Sequence, residues 1–252
     1  MPRIILLGVG TAVPDIDREC THMVWDGPGG PLLIDVGGST YARLLRAGID
    51  PQGLRAILLT HTHADHVYGF PILLTQLFLA GRTEGIRVYG LPAALARAQS
   101  LIEASEISDY MVPVEWTEIS PGGDLPLAAG YRLRTALTAH GRPCVAVRIE
   151  EDESGRAVVY SADTEPCPAV AELAHGAQIL IHEAGAKEPS SGHTTPRQAG
   201  QIAAGAGVGR LVLVHFSPRW IMPAAQAIAE VRAGGFAGPA EIGQEQQVLE
   251  AW

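Results

Sequence analysis

The sequence predicts an α/β fold of four layers, in which two central sheets carry helices on their outer faces. Two observations predict it: the chain opens with several strand-like runs, and apolar runs of strand length then alternate with helix-length segments through both halves. The 252 residues are 47% hydrophobic and 18% charged, which is enough for a large buried core. No linker, charge block or low-complexity segment interrupts the chain, so residues 1–252 are predicted to form one domain.

Each element follows from a local pattern of apolar residues and turn residues. A run of five glycines and prolines, residues 27–31, predicts the loop of a β-hairpin. Ser39, Pro92 and Thr195 (or Thr194) mark helix starts, because Ser and Thr cap helices and proline suits the first turn. Strands are predicted at 3–7, 23–26, 32–35, 56–60, 88–90, 114–119, 131–139, 144–149, 157–161, 178–182 and 211–214. Helices are predicted at 39–47, 66–79, 92–104, 169–174, 195–206 and 224–233.

Composition excludes several classes of protein. With 27 acidic and 18 basic side chains the net charge is −9, and a single lysine is present, which argues against stable nucleic-acid binding. No stretch approaches 18 uncharged apolar residues, so a membrane protein is not expected. The apolar run at residues 4–7 is too short for a signal peptide, and three cysteines without CxxC spacing do not make a disulfide scaffold. We therefore expect a cytoplasmic protein.

The segment from Thr60 to His66 contains three histidines and one aspartate within seven residues. His61 and His63 are two positions apart, so in an extended segment their side chains point to the same side. Asp65 and His66 are adjacent and point in different directions as the chain turns into the next helix. One loop of this kind can supply ligands to two neighbouring metal ions.

Three further residues of ligand type follow predicted apolar strands, as His61 does. They are His140, Asp163 and His215. Ligand sites in α/β folds are built at the ends of strands, so these side chains are candidates for the same site. Imidazoles with carboxylates suit zinc, iron or manganese, and the shortage of thiols argues against a structural zinc site.

This constellation resembles the metallo-β-lactamase superfamily, and segments along nearly the whole chain resemble its ribonuclease Z branch. The segments are residues 7–11, 33–37, 65–71, 182–184, 191–195 and 214–219. The resemblance implies an αββα sandwich with two mixed sheets and outer helices. It also implies two metal ions, zinc first and manganese or iron as alternatives. Their ligands would be His61, His63 and His140 for one ion and Asp65, His66 and His215 for the other, with Asp163 bridging.

Two such ions would share a water molecule, lower its pKa toward about 7 and so supply hydroxide for attack on a phosphodiester. His193 is the candidate general acid, because an imidazole pKa lies close to neutral pH. The resemblance suggests that Glu183 orients its ring, although His182 is an alternative partner for a ligand. Asp65 is predicted to be a catalytic residue as well as a metal ligand. Arg219 is a candidate phosphate contact.

The chain departs from ribonuclease Z in one respect. There, a long arm that grips transfer RNA lies between the third histidine and the bridging aspartate, whereas here only 23 positions separate His140 from Asp163. A small or cyclic phosphodiester is therefore the expected substrate. Four alternatives remain: an arylsulfatase-like esterase, a thioesterase or lactonase of the glyoxalase II type, a tRNA 3′ endonuclease, and a non-catalytic binding protein. A flavodiiron-type redox protein would need a carboxylate in the first cluster and a flavin domain, and neither is present.

The segment 71–79 is apolar nearly all round a helix. Such a helix is either buried in the core or meets another subunit. Because ribonuclease Z relatives are commonly homodimers, the resemblance predicts a homodimer.

Overall fold

A computed structural model describes residues 1–128, 130–217 and 222–252. The chain divides into two compact units. The first comprises residues 1–119 and 244–250, and the second comprises residues 120–243 and 251–252. Each unit is built on one mixed sheet, and the prediction that they form a single domain stays a prediction.

The sheet of the first unit has seven strands in the described part of the chain, in the order β14-β1-β2-β3-β4-β5-β6. The pairs from β14 to β3 are antiparallel and those from β3 to β6 are parallel. The strands are β1 (Arg3–Gly8), β2 (His22–Asp26), β3 (Leu32–Ile34), β4 (Ala56–Leu59), β5 (Ile86–Gly90), β6 (Val114–Glu118) and β14 (Val248–Glu250).

Four helices accompany this sheet: α1 (Thr40–Arg46), α2 (Ala64–Val67), α3 (Phe70–Leu79) and α4 (Pro92–Ala104). The core forms where side chains of β1, β3, β4 and β5 meet those of α1, α3 and α4; Ile57, Phe70 and Leu74 are among the fully buried ones. Burial of such side chains is the main force that holds these layers together.

The sheet of the second unit repeats the same succession of pairings. Its order is β13-β12-β11-β10-β9-β8-β7, antiparallel from β7 to β10 and parallel from β10 to β13. The strands are β7 (Asp124–Ala128), β8 (Tyr131–Leu137), β9 (Val145–Glu151), β10 (Ala157–Tyr160), β11 (Ile179–Glu183), β12 (Arg210–Val214) and β13 (Ala240–Ile242).

In the described part of the second unit, three helices accompany the sheet: α5 (Pro168–Leu173), α6 (Pro196–Ala206) and α7 (Ala224–Ala233). The helices α6 and α7 pack with their backbones close together, because a Cβ on Gly200 would lie 2.3 Å from the carbonyl oxygen of Val231. Thr195 caps α6 as predicted, in a reciprocal capping box with Gln198.

The predicted fold class is confirmed, since two mixed sheets flanked by helices make up the structure. The helix predicted at 66–79 is wrong in one respect, because α2 ends at Val67 and α3 begins at Phe70. The amide of Gly69 donates to the carbonyl oxygen of Val36, and Pro71 has no amide hydrogen to donate. Two intrahelical hydrogen bonds are thereby lost, and the helix breaks.

Ser39 precedes α1 as predicted, but its side chain does not cap that helix. Its hydroxyl donates instead to Glu19 Oε2 over 3.1 Å. Strands β7, β13 and β14 were not predicted. Among the described residues, none of the helices has the length and hydropathy that a membrane span requires.

Candidate metal centre

In the first unit, the predicted ligand loop follows β4, whose two neighbours in the sheet are parallel to it. His61 and His66 are fully buried, and His63 is half-buried in extended backbone just before α2. The ring of His61 lies 4.8 Å from that of His63 and 4.1 Å from that of His66, centroid to centroid. Asp65 Oδ2 lies 3.5 Å from His66 Nε2. The four side chains thus form one cluster at the carboxyl end of a parallel strand.

Asp35 orients the side chains of this cluster through hydrogen bonds. It is a buried carboxylate that was not predicted as a site residue. It follows β3 and accepts hydrogen bonds from the amide of Thr60 at 2.8 Å and from its hydroxyl. Its Oδ2 accepts from His66 Nδ1 at 2.7 Å. Because Thr60 gives its only hydroxyl proton to Asp35, its oxygen is left to accept from His61 Nδ1, which lies 3.0 Å away. Both rings therefore carry their proton on Nδ1 and keep Nε2 for a metal ion.

In the second unit, His140, Asp163 and His215 follow β8, β10 and β12. Asp163 Oδ2 lies 3.4 Å from His215 Nε2 and 4.0 Å from His140 Nε2. His140 Nδ1 donates to the carbonyl oxygen of Gly192 at 2.8 Å, so this ring also keeps Nε2 for a metal ion. Asp163, His193 and His215 bring one ligand atom each to within 4.8 Å of one another.

Three residues beside the clusters adopt positive φ although they are not glycine: Asp35 (62°), Ala162 (48°) and His215 (67°). Such backbone costs roughly 1–3 kcal/mol each and is found where the surrounding structure imposes it, often at functional sites. Each of the three residues lies just after a strand, where the chain must turn sharply to bring a side chain back over the end of the sheet.

His193 lies beside this second cluster, with its ring 5.4 Å from that of His140 and 5.3 Å from that of His215. Its side chain is 34% exposed, whereas Glu183 at the end of β11 is fully buried. Glu183 Oε1 lies 3.2 Å from His193 Nδ1 and accepts from the amide of Thr194 at 2.9 Å. Its Oε2 accepts from the amide of Gly185. A buried carboxylate with these donors fixes the His193 ring and holds the ring proton on Nδ1.

His182 takes no part in these contacts, and neither do His22 and His175, two histidines outside every predicted motif. His182 is fully buried, its Nδ1 donates to the carbonyl oxygen of Glu183, and burial lowers its pKa. Burial also lowers the pKa of His22 to about 4, although a hydrogen bond to the Cys20 carbonyl oxygen favours its charged form. His175 is exposed after α5. Arg219 lies outside the described residues.

Sequence reasoning missed Asp35 and a second carboxylate, Glu165. Asp35 could have been found, because it follows an apolar strand just as the predicted ligands do. Glu165 gives no such signal, because it lies in a loop with proline and cysteine and its role depends on contacts with a distant segment. Its Oε1 accepts from the amide of Gly192 at 2.9 Å and from the hydroxyl of Ser191 at 3.2 Å.

The donor set fits divalent metal ions. Imidazole Nε2 atoms and carboxylates are the ligands of catalytic zinc, and the Nδ1 contacts of His61, His66 and His140 are those expected around a metal-binding histidine. Within the described residues, no cysteine belongs to the clusters that could hold an ion.

Comparison with known proteins identifies the family. The chain matches the beta-lactamase superfamily domain over residues 32–216. It is 29% identical to ribonuclease Z of Methanothermobacter thermautotrophicus over 273 aligned positions, which cover 87% of this chain and 88% of that relative.

Two solved structures share the fold. The metallo-beta-lactamase fold protein YhfI of Bacillus subtilis gives a TM-score of 0.85 at 24% identity, covering 99% of this chain and all of that one. The short form of human tRNase Z gives a TM-score of 0.80 at 22% identity, and the match covers all of both chains. The predicted resemblance to the ribonuclease Z-like branch is thus confirmed. Because the family match spans well over half of the sequence, this protein belongs to the beta-lactamase superfamily and is a metal-dependent hydrolase.

Proposed function

We propose that this hydrolase cleaves a small or cyclic phosphodiester. The observation that carries the proposal is the pair formed by His193 and Glu183, 3.2 Å apart beside Asp163 and His215. An alkoxide leaving group needs a proton, and an imidazole held by a buried carboxylate can deliver it. A thioester or an activated lactone has a better leaving group and would leave this pair without a task.

We assign the two predicted ligand sets to two divalent ions, with zinc first and manganese or iron as alternatives. His61, His63 and His140 would hold one ion, Asp65, His66 and His215 the other, and Asp163 would contact both. Support comes from the superfamily membership and from the Nδ1 contacts, which leave Nε2 of three of these rings to coordinate. When bound, such ions lower the pKa of water and neutralise charge on the phosphoryl oxygens.

The protein side chains then have distinct tasks. Glu183 holds the proton of His193 on Nδ1 and stabilises the imidazolium form, so that Nε2 is the atom that passes a proton to the leaving oxygen. The half-exposed position of His193 lets this nitrogen meet a substrate that enters from solvent. Asp35 and Gly192 fix the rings of His66 and His140, which keeps the reaction geometry constant between turnovers.

Three observations favour a small substrate over precursor transfer RNA. The segment between His140 and Asp163 forms only the hairpin of β9 and β10, with residues 152–156 as its turn. The alignment with the Methanothermobacter relative is 273 positions long although this chain has 252 residues, so that relative contains segments that this chain lacks. The net charge of −9 gives no general attraction to a polyanion. Curated relatives are nevertheless named ribonuclease Z, so a precursor tRNA belongs in the test.

The proposal includes a cytoplasmic homodimer. On α3, Phe70 and Leu74 are buried, whereas Ile72 and Leu79 are 51% and 71% exposed. This supports the second of the two roles predicted for segment 71–79, contact with another subunit. A mass near 26.6 kDa by light scattering would contradict the dimer.

The test is hydrolysis of bis(p-nitrophenyl) phosphate by zinc-loaded and manganese-loaded protein. His61→Ala removes a proposed ligand, and His175→Ala replaces an exposed histidine outside the clusters as the matched control. We expect turnover that His61→Ala abolishes and His175→Ala leaves intact, followed by turnover of a nucleoside cyclic phosphate.

Absence of phosphodiester turnover from protein that demonstrably holds two ions would contradict the proposal. A panel of p-nitrophenyl sulfate, a glutathione thioester, a lactone and a precursor tRNA then identifies the class. Turnover of the tRNA with rates above those of every small diester would replace the small-substrate assignment.

A further inference from the structure

The short segment Ser191–Thr194 lies between two carboxylates. The hydroxyl of Ser191 and the amide of Gly192 donate to Glu165 Oε1, at 3.2 and 2.9 Å. His193 Nδ1 and the amide of Thr194 lie 3.2 and 2.9 Å from Glu183 Oε1. Four consecutive residues are thus held by two oxygens, one on each side of the segment.

Gly192 connects Glu165 to the metal-ligand cluster through the two peptide groups that flank its Cα. Its N–H side is held by Glu165, and its carbonyl oxygen accepts from His140 Nδ1 at 2.8 Å. Gly192 has a φ of +84°, and a Cβ there would lie 3.3 Å from His140 Nδ1. The close approach and the positive φ both suit glycine, and the φ and ψ of this one residue determine where the carbonyl oxygen holds the His140 ring once Glu165 holds the amide.

Glu165 is itself firmly placed. Its amide donates to the carbonyl oxygen of Ala139, the residue before His140, at 2.8 Å. Thr164, which precedes it, receives the amide hydrogen bond of Ala139 on its hydroxyl oxygen and the hydroxyl hydrogen bond of Thr194 on its carbonyl oxygen. Among the residues that the structure describes, no lysine or arginine pairs with Glu165. Its carboxylate therefore serves as a hydrogen-bond acceptor for this segment.

We propose that Glu165 is a positioning residue for the hydrolysis. By holding the Ser191–Gly192 backbone it fixes the ring of His140 through the Gly192 carbonyl, and it sets the place of His193, the next residue. The inference rests on the proposed function only in giving His193 the role of proton donor. Glu183 alone would hold the far end of the segment and leave the amide of Gly192 without its acceptor.

The experiment compares Glu165→Ala, Glu165→Gln and Ser191→Ala in the zinc-loaded enzyme. Loss of outer contacts of this kind costs typically about 10–100-fold in activity or metal affinity. We expect Glu165→Ala to lower kcat for an alkyl phosphodiester by about that factor with KM changed less than about three-fold, because Glu165 acts through its hydrogen bonds to Ser191 and Gly192. Glu165→Gln keeps an acceptor oxygen and should recover kcat to within about three-fold of the wild type. Ser191→Ala keeps the Gly192 bond and should cost less than about five-fold.

A second readout does not depend on activity. Hydrogen exchange of the peptide that contains Gly192, in the zinc-loaded protein, should become faster in Glu165→Ala and stay at the wild-type rate in Glu165→Gln. Glu172→Ala, which removes an exposed carboxylate on α5, is the matched control and should change neither quantity.

Equal loss of kcat in Glu165→Ala and Glu165→Gln would overturn the inference, as would wild-type exchange and kcat in Glu165→Ala. If Glu165→Ala does not fold, Glu165→Asp, which shortens the side chain by one methylene, takes its place. Faster Gly192 exchange in Glu165→Asp than in Glu165→Gln is then the supporting result, and equal rates overturn the inference. If the wild type hydrolyses no phosphodiester, the proposed function fails, while exchange and zinc affinity still report on Glu165.

Discussion

The Nδ1 atom of His66 lies 2.7 Å from Oδ2 of Asp35, and both side chains are fully buried. This contact joins the loop after β3 to α2 and fixes which nitrogen of His66 is left to coordinate. The two oxygens of Asp35 also serve different donors, because Oδ1 accepts from the amide of Thr60. One carboxylate therefore orders two successive parts of the first cluster.

Asp35→Asn should lower zinc affinity about 10–100-fold, the usual cost of losing such a contact. An asparagine offers one acceptor oxygen where Asp35 uses two, so either Thr60 or His66 loses its partner. Asparagine also tolerates the positive φ of 62° at this position better than alanine does, which keeps backbone strain out of the comparison. Titration calorimetry with zinc measures the affinity.

The matched control for this prediction is Asp50→Asn. Asp50 is exposed and accepts from the amide of Gln52 at the start of a short 3₁₀ turn, away from the clusters. The zinc affinity of the Asp50→Asn variant should equal that of the wild type. Unchanged affinity in Asp35→Asn itself would show that the contact with His66 does not order the ligand.

His193→Gln should lower kcat for an alkyl phosphodiester by about 10²–10⁴, the range for loss of a general acid. For bis(p-nitrophenyl) phosphate the loss should be much smaller, because p-nitrophenolate leaves without a proton. Zinc stoichiometry is measured in parallel and should stay at the wild-type value. An equal loss on both substrates would remove His193 from the proton-transfer step.

Arg82 carries a stability prediction, because it is a buried cation whose partners are all backbone. Its guanidinium donates to four carbonyl oxygens, those of Gln52, Leu54, Glu84 and Gly85. Arg82→Ala leaves these acceptors without their donor and should lower the free energy of unfolding by about 2–4 kcal/mol.

Urea denaturation measures this loss. Arg82→Lys should recover less than half of the lost free energy of unfolding. The reason is that one ammonium group cannot reach the four carbonyl oxygens to which the planar guanidinium of Arg82 donates. The exposed pair of Arg87 with Glu115 provides the control, and Arg87→Ala should lower the free energy of unfolding far less than Arg82→Ala does. Similar losses for Arg82→Ala and Arg87→Ala would contradict the prediction.

His22 predicts a pH dependence of stability. Burial lowers its pKa to about 4 in the folded protein, below its ordinary value of 6.5. Between these values the unfolded chain binds a proton that the folded protein does not, so stability falls as the pH drops from 6.5 toward 4. Relative to His22→Asn, the wild type should lose about 3 kcal/mol of unfolding free energy over that range.

The measurement is urea denaturation of both proteins at several pH values, with the difference between them plotted against pH. Asparagine can still donate to the Cys20 carbonyl oxygen from the position of Nδ1, so the hydrogen bond is preserved. A difference that does not vary between pH 6.5 and 4 would show that His22 titrates normally. His175→Asn, at an exposed histidine, is the control substitution.

Much of the fold follows from the sequence because buried strands of Val, Ile and Leu are continuous apolar runs. The strand after Gly209 is predicted correctly for that reason, and the helix at 92–104 because Pro92 marks its first turn. Strand β7 lies at a sheet edge, contains a proline and has exposed residues among half-buried ones, so its pattern does not predict a strand. Strands β13 and β14 have three residues each, which is too short for a pattern to be recognised. The break at Gly69 depends on Val36, which no local pattern reveals.

For the site, the residue types and their positions at strand ends are visible in the sequence, and they predict the two clusters. The residues that accept hydrogen bonds from the clusters and from the adjoining backbone were not predicted. Asp35 shares the strand-end position of the ligands and could have been inferred. Glu165 could not, because its acceptor role requires the approach of a loop 26 positions away.

The backbone bridge between Ala139 and Glu165 closes the base of the β9–β10 hairpin, directly beside His140 in the chain. The turn at its far end, residues 152–156, is exposed and carries no part of either cluster. The base of the hairpin is therefore held by backbone hydrogen bonds, whereas the residues of its tip can be replaced without disturbing them. An insertion at the tip would leave the backbone that carries His140 and Asp163 in place, so this segment can change in length without moving those two side chains.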